Sequence, residues 1–168
     1  LAKFKSHMNS IKTIKRILTL FAFVFSITAF SQNKIPVYKV DKLLSRIEKN
    51  NDTLYILNFW ATWCKPCVQE LPDFEKINTE YKNQKVKVIL VTLDFKEELK
   101  KRVIPFIKKN KYTTEVILLD EVDGSFIDKV SKDWTGAIPA TLLIKNNKKE
   151  FSGKKTNYKE LISIITKN

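Results

Sequence analysis

The chain has 168 residues, about the length of one domain, and it is 43% hydrophobic and 29% charged. This composition is typical of a globular protein and excludes an intrinsically disordered or collagen-like chain. The net charge of +13 raises the question of nucleic-acid binding. Nearly all the basic residues are Lys scattered along the chain, whereas base reading favours Arg, so we predict no nucleic-acid partner.

The first predicted element is an N-terminal leader. Residues 1–31 contain basic residues but no acidic ones, and the apolar run 17–30 leads to Ser31. This order is typical of a secretory signal peptide cleaved after Ser31, which predicts a periplasmic or secreted protein. The alternative is anchoring to the inner membrane by residues 17–30, although a spanning helix needs about 18 to 20 residues. We therefore predict an extension and signal peptide at 1–31 and one domain at 32–168.

The first half of this domain alternates strands with helices. A short strand at 35–40 is followed by a helix from about Asp41. The apolar run 53–61 is rich in aromatic residues and is typical of a central strand covered on both faces. A helix is expected from Cys64 to about residue 82, with a kink or restart at Pro72.

The second half continues the alternation and ends in a hairpin and a helix. The predicted elements are a strand at 86–94, a helix at 96–110 bent at Pro105, a short strand at 116–120, irregular or weakly helical backbone at 121–134, strands at 140–145 and 149–153, and a helix at 158–165. Asn146 and Asn147 favour a tight turn between the last two strands. The whole pattern predicts an α/β fold with a central mixed sheet flanked by helices on both faces.

Both cysteines of the chain lie in the segment 58–67, which reads NFWATWCKPC. Cys64 falls where the central strand ends and a helix begins, and the unpaired amides of the first helical turn there favour a thiolate. Cys67 lies one turn further along, close enough to form a disulfide but behind Cys64. Such a pair can attack a partner's disulfide with one sulfur and release it with the other.

Other interpretations of the cysteine pair are weaker. A structural disulfide would close a loop of about four residues and would remove little chain entropy. A zinc site needs about four ligands, but the chain has two cysteines, and its single histidine is in the leader. Two inert core cysteines fit poorly with a helix start flanked by Trp63 and Pro66. We therefore expect redox activity, with no metal and no cofactor.

The segment FWATWCKPC resembles the active-site signature of the thioredoxin superfamily. Together with the leader, NFWATWCKPCVQELP is similar to the TlpA/ResA-like extracytoplasmic thiol-disulfide oxidoreductases, over about residues 34–166. The resemblance implies a thioredoxin-like fold in which Cys64 is the catalytic nucleophile and Cys67 the catalytic resolving thiol, with a redox-active disulfide between them.

The same resemblance implies a substrate-binding surface around the cysteines. Ile138 and Pro139, in WTGAIPATLLI, correspond to a cis-proline loop that faces the cysteine pair and places the Ile138 backbone against a substrate strand. Trp63 and Pro66 would be further substrate contacts.

Two positions differ from the pattern of cytoplasmic thioredoxins. Asn58 stands where those proteins have a buried aspartate that assists the resolving cysteine, and it cannot accept a proton. Glu70, three residues after Cys67, matches the acidic residue of the TlpA/ResA-like motif, and the resemblance implies that it takes over this catalytic role. The alternative is that Glu70 is a helix acid favoured by the dipole.

The sequence therefore predicts an exported thiol-disulfide oxidoreductase that reduces protein disulfides in the cell envelope. Apocytochrome c is one possible class of substrate, and electrons would come from a membrane thiol donor. The membrane itself would be contacted only through an uncleaved leader. The alternatives are a disulfide oxidase or isomerase, a non-catalytic thioredoxin-fold adaptor and, as a weaker third, a peroxidase.

Overall fold

The computed structural model describes residues 34–48, 50–121 and 123–167. The predicted signal peptide at 1–31, with its apolar run and its cleavage position, lies outside the described residues. Within the described ranges, no helix combines the length and the apolar character needed to cross a bilayer.

Strands and helices alternate along the described chain, as the sequence predicts. The strands are β1 (Val37–Tyr38), β2 (Leu54–Trp60), β3 (Val86–Thr92), β4 (Glu115–Leu119), β5 (Ala140–Lys145) and β6 (Lys148–Ser152). The helices are α1 (Val40–Ile47), α2 (Lys65–Glu80), α3 (Ile104–Asn110), α4 (Ser125–Val130) and α5 (Tyr158–Lys167). A 3₁₀ turn at Lys96–Glu98 and a π-helical turn at Leu99–Val103 lead directly into α3.

The described strands form one mixed sheet in the order β1-β4-β3-β2-β5-β6. Strands β1 to β4 run parallel to one another, whereas β5 is antiparallel to both of its neighbours, β2 and β6. The predicted hairpin is confirmed: Asn146 and Asn147 join β5 to β6 with positive φ values of 49° and 62°, which asparagine tolerates. The central strand β2 therefore has a parallel neighbour on one side and an antiparallel neighbour on the other.

Alternate side chains of β2 point to opposite faces of the sheet. Leu57 and Phe59 join a buried cluster with α1, while Ile56 and Trp60 join a second cluster with α2 and α5. Helices thus cover both faces, which confirms the predicted layers. Asn58 shares the α2 face with Ile56 and Trp60 and is fully buried. A polar side chain at this depth must find hydrogen-bond partners there.

Three elements differ from the sequence-based expectation. The strand predicted at 35–40 is cut to two residues, because helix α1 already begins at Val40, whose N–H donates to Glu121 Oε1 at 2.7 Å. Helix α2 continues through Pro72, which is exposed on its surface, instead of restarting there. The helix predicted at 96–110 is divided. Its last part, α3, has Pro105 in the first turn, where proline's missing N–H costs no helical hydrogen bond.

Candidate active site

The cysteine pair lies at the carboxyl end of β2, where the chain turns into α2. Cys64 caps the N-terminus of α2, with an extended backbone (φ −87°, ψ 95°) and its Sγ accepting a hydrogen bond from the Cys67 N–H at 3.3 Å. The two residues are joined by a disulfide, and their Cα atoms are 5.3 Å apart. Pro66, in the first turn of α2, lacks an N–H where the helix leaves one unpaired anyway. The Cys64 sulfur therefore faces the positive end of the helix dipole.

In this oxidised state both cysteines are buried. Cys64 is 6% exposed and Cys67 is fully buried, so the expected order of accessibility holds, but Cys64 is less open than an exposed nucleophile. Its neighbours are much more accessible: Trp63 is 61% exposed, and Lys65 and Pro66 are exposed as well. A partner that reaches the Cys64 sulfur must contact these neighbours.

The loop that contains Ile138 and Pro139 lies against Cys64. The peptide bond between these two residues is cis, as the resemblance implies, and the Ile138 carbonyl oxygen is 3.8 Å from Cys64 Sγ. Pro139 is buried and Ile138 is partly exposed. Trp134 stabilises this loop, because its indole N–H donates a hydrogen bond to the Ala137 carbonyl at 2.7 Å. The sequence-predicted loop and the cysteine pair are thus brought together.

Glu70 is fully buried on the same face of α2 as Cys67. Its Oε1 accepts a hydrogen bond from Asn58 Nδ2 at 2.6 Å, and its Oε2 accepts one from the Thr156 main-chain N–H at 2.7 Å. Burial raises the pKa of Glu70 to about 6, and the two hydrogen bonds, which favour the ionised form, only partly oppose it. Since Cys67 and Glu70 are three residues apart on one helix, their side chains are neighbours.

The sequence singled out Asn58 and Glu70 separately, as two departures from one pattern, and the structure joins them in one hydrogen bond. Thr156, from the loop before α5, was missed altogether. Its contribution is a main-chain N–H, which every residue except proline carries, so nothing in its side chain could have indicated it.

A second loop was also missed. Asp94, buried after β3, accepts hydrogen bonds from the Thr62 N–H at 2.9 Å and from the Thr62 hydroxyl at 2.5 Å. This pair ties the loop after β3 to the segment that leads into Cys64. The next residue, Phe95, is 76% exposed, and it and Trp63 are the two large exposed hydrophobic side chains of the described chain. The only sequence signal was an aromatic residue just beyond a predicted strand.

The arrangement has two chemical capacities. The sulfurs of Cys64 and Cys67 can exchange two electrons with a partner's disulfide or dithiol. The Glu70 carboxyl, whose pKa is raised by burial to about 6, can take or give a proton one helical turn from Cys67. Across the described residues, no group of three or more His, Cys, Asp or Glu side chains is placed to hold a metal ion.

Comparison with known proteins agrees with this chemistry. The model of the AhpC/TSA family matches residues 32–149. Sporulation thiol-disulfide oxidoreductase A of Bacillus subtilis is 31% identical over an alignment of 116 residues that covers 62% of this chain and 70% of that protein. Thiol-disulfide oxidoreductase ResA of Oceanobacillus iheyensis is 33% identical over 92 residues, which are 55% of this chain but only 44% of that protein.

A solved structure shows the same architecture. A thiol:disulfide interchange protein of the thioredoxin family from Chlorobium tepidum superposes with a TM-score of 0.58 at 19% identity, over 74% of this chain and 83% of that chain. The chain therefore has a thioredoxin-like fold, which confirms the fold that the cysteine motif implied.

Proposed function

The chain belongs to the AhpC/TSA family and is a thiol-disulfide oxidoreductase with a Cys64–Cys67 pair, and on that basis we propose that it reduces protein disulfides outside the cytoplasm. The observation that carries the proposed thiol-disulfide cycle is Glu70, a buried carboxyl with a pKa of about 6, one helical turn from Cys67. A reductase begins each cycle as a dithiol, so Cys67 must lose its proton before it can release the substrate. Glu70 supplies an acceptor for that proton.

The proposed cycle gives the two sulfurs different roles. The Cys64 thiolate, stabilised by the N-terminus of α2, attacks one sulfur of the partner's disulfide; a Cys64–partner bond forms and the other partner thiolate leaves. Cys67 then passes its proton to Glu70, and its sulfur attacks Cys64. The Cys64–Cys67 disulfide forms, and the second partner thiolate leaves and takes the proton held by Glu70. Two electrons have moved from the dithiol to the partner.

We assign substrate contacts to a docking rim made of Trp63, Pro66, Phe95, Ile138 and Pro139. The Ile138 carbonyl supports this assignment because it lies within 3.8 Å of the Cys64 sulfur. Phe95 is added because Asp94 and Thr62 tie its loop to the cysteine segment. Large exposed apolar side chains beside a reactive group are typical of protein contact sites.

The proposed location and partners follow from the leader and from electron balance. The basic residues before the apolar run 17–30 support export by a cleaved signal peptide. Each turnover leaves the enzyme oxidised, so a thiol donor must reduce it again, and outside the cytoplasm we infer a membrane dithiol. Apocytochrome c fits as a substrate class because its C-x-x-C-H segment can form the kind of disulfide that must be opened.

The reduction potential of the Cys64–Cys67 couple tests the direction. Equilibration with glutathione or dithiothreitol buffers, read by thiol alkylation, should give a value near the thioredoxin-like potential of about −270 mV. A potential near about −120 mV would instead identify an oxidase. Insulin reduction, measured in parallel, should show turnover with the wild type and none with Cys64→Ser. Absent turnover in the wild type would identify an adaptor.

A further inference from the structure

We propose that Asn58 is a positioning residue whose side-chain amide reverses when Glu70 gains a proton, so that it holds the Glu70 carboxyl in both charge states. The proposal rests on the proton-accepting role given above to Glu70. It concerns how a carboxyl group sealed in the core can change its charge without losing its hydrogen bond.

The observed hydrogen bonds suit the ionised form of Glu70. An ionised carboxylate only accepts, and its two oxygens meet two donors, Asn58 Nδ2 at 2.6 Å and the Thr156 N–H at 2.7 Å. Glu70 and Asn58 are both fully buried, so water does not replace either partner.

Protonation changes the hydrogen-bonding requirement of only one of the two carboxyl oxygens. The Thr156 donor is a main-chain N–H and cannot become an acceptor, so the proton belongs on Oε1, the oxygen that faces Asn58. Oε1 then becomes a donor and requires an acceptor. An asparagine amide carries an oxygen and an NH₂ group on one plane, and rotation of its terminal torsion by about 180° exchanges them. The reversed amide presents Oδ1 to the Oε1 hydroxyl.

The far side of Asn58 holds polar atoms that the present amide orientation leaves without a hydrogen bond. Asn58 Oδ1 and Thr141 Oγ1 are both buried and have no hydrogen-bond partner in the described structure. Thr141 is the cross-strand neighbour of Asn58 in the β2–β5 register, where Cβ atoms lie about 4.5 to 5.5 Å apart. Its hydroxyl can both donate and accept, so it can pair with either amide orientation. Thr141 and Thr156 also line a surface cavity of about 260 Å³, but the Thr141 hydroxyl oxygen and the Asn58 side chain are themselves buried.

The other charged groups around Glu70 act at longer range. Lys155, in the loop before α5, favours the ionised form, and Asp73 on α2 favours the protonated form. Lys155 is itself bonded to Gln69 Oε1 at 3.1 Å, and Glu160 of α5 lines the cavity beyond Thr156. The Asn58 side chain donates the hydrogen bond to Glu70 Oε1, so it is the side chain that must change its orientation when that oxygen is protonated.

Nuclear magnetic resonance of the full oxidised chain tests the reversal, because the disulfide removes thiol titration. The Asn58 NH₂ protons should show nuclear Overhauser contacts to the Glu70 Hγ atoms at pH 8 and to Thr141 at pH 4. The change should have the same midpoint as the Glu70 carboxyl ¹³C signal, and it should vanish in Glu70→Gln. Contacts from Asn58 to Glu70 that are the same at both pH values would overturn the proposal.

A substitution gives a second, independent measurement. Asn58→Leu keeps a similar volume but removes the hydrogen bond from both charge states, and the bond to the ionised carboxylate is the stronger of the two, so the Glu70 pKa should rise by roughly one unit or less. A rise of about two units or more, expected when only the ionised form loses a bond, would contradict the proposed bond to the protonated form. Neither measurement needs a substrate. If the Asn58 amide reverses but insulin is not reduced, the proposed reductase function is wrong and the proposed role of Asn58 stands. If insulin is reduced but the amide does not reverse, only the proposed role of Asn58 is wrong.

Discussion

Glu70→Gln should make the protein more stable at pH 8 than the wild type, by an amount that disappears at pH 4. The pKa of Glu70 is raised from 4.5 to about 6 in the folded protein. Its contribution to stability is therefore fully present below pH 4.5 and is lost as the pH rises through 6. The pKa difference of about 1.5 corresponds to about 2 kcal/mol, since one unit is worth about 1.4 kcal/mol. Glutamine carries no charge and escapes this cost.

The assay is urea unfolding of the oxidised wild type and variant at pH 4 and pH 8. Oxidation is essential, because titrating thiols would add their own pH dependence. The difference in unfolding free energy, variant minus wild type, should grow by about 2 kcal/mol between the two pH values. In the reduced state the same variant should release mixed disulfides more slowly, because Cys67 has lost its proton acceptor. At pH 8, Glu70→Gln would then be more stable than the wild type but less active.

Glu75, on the same helix, is the matched control with the opposite sign. Burial raises its pKa, but hydrogen bonds from the side chains and main-chain N–H groups of Thr113 and Thr114 outweigh this and leave the pKa below its usual value. Its stabilisation is present above the unfolded pKa and is lost as the pH falls. Glu75→Gln should therefore lose more stability at pH 8 than at pH 4. If the free-energy difference for Glu70→Gln is flat with pH, or has the sign of Glu75→Gln, the argument from burial is wrong.

Three further predictions concern the cysteines, the docking rim and the leader. Cys67→Ser should accumulate covalent substrate complexes on non-reducing gels, whereas Cys64→Ser should trap few; equal trapping would show that the two roles are misassigned. Phe95→Ala should lower kcat/KM for a protein disulfide about tenfold, the equivalent of about 1.4 kcal/mol, and leave kcat/KM for oxidised glutathione unchanged. An equal loss on both substrates would mean a disturbed site instead of a lost contact. Mass spectrometry of protein from the cell envelope should find the N-terminus at Gln32, and an N-terminus that retains residues 17–30 would indicate an anchor instead.

The sequence by itself determined the local features of the fold and the position of the reactive cysteine pair. The apolar run 53–61 predicted the central strand, because a strand covered on both faces has few polar residues. Asn146 and Asn147 predicted the hairpin, because they tolerate the backbone of a two-residue turn. Cys64 and Cys67 were identified as a reactive pair from a strand-to-helix junction. Each of these inferences depends on neighbours along the chain.

Tertiary structure alone decided which distant residues meet. Glu70 accepts hydrogen bonds from Asn58, 12 positions away, and from Thr156, 86 positions away. Phe95 is held near the cysteine segment only because β2 and β3 are adjacent parallel strands whose ends meet at one edge of the sheet. Hydrophobic periodicity shows which face of an element is buried, but not which element covers it. The environment that raises the pKa of Glu70 is made by the order of strands and helices in space, and no local pattern in the sequence records that order.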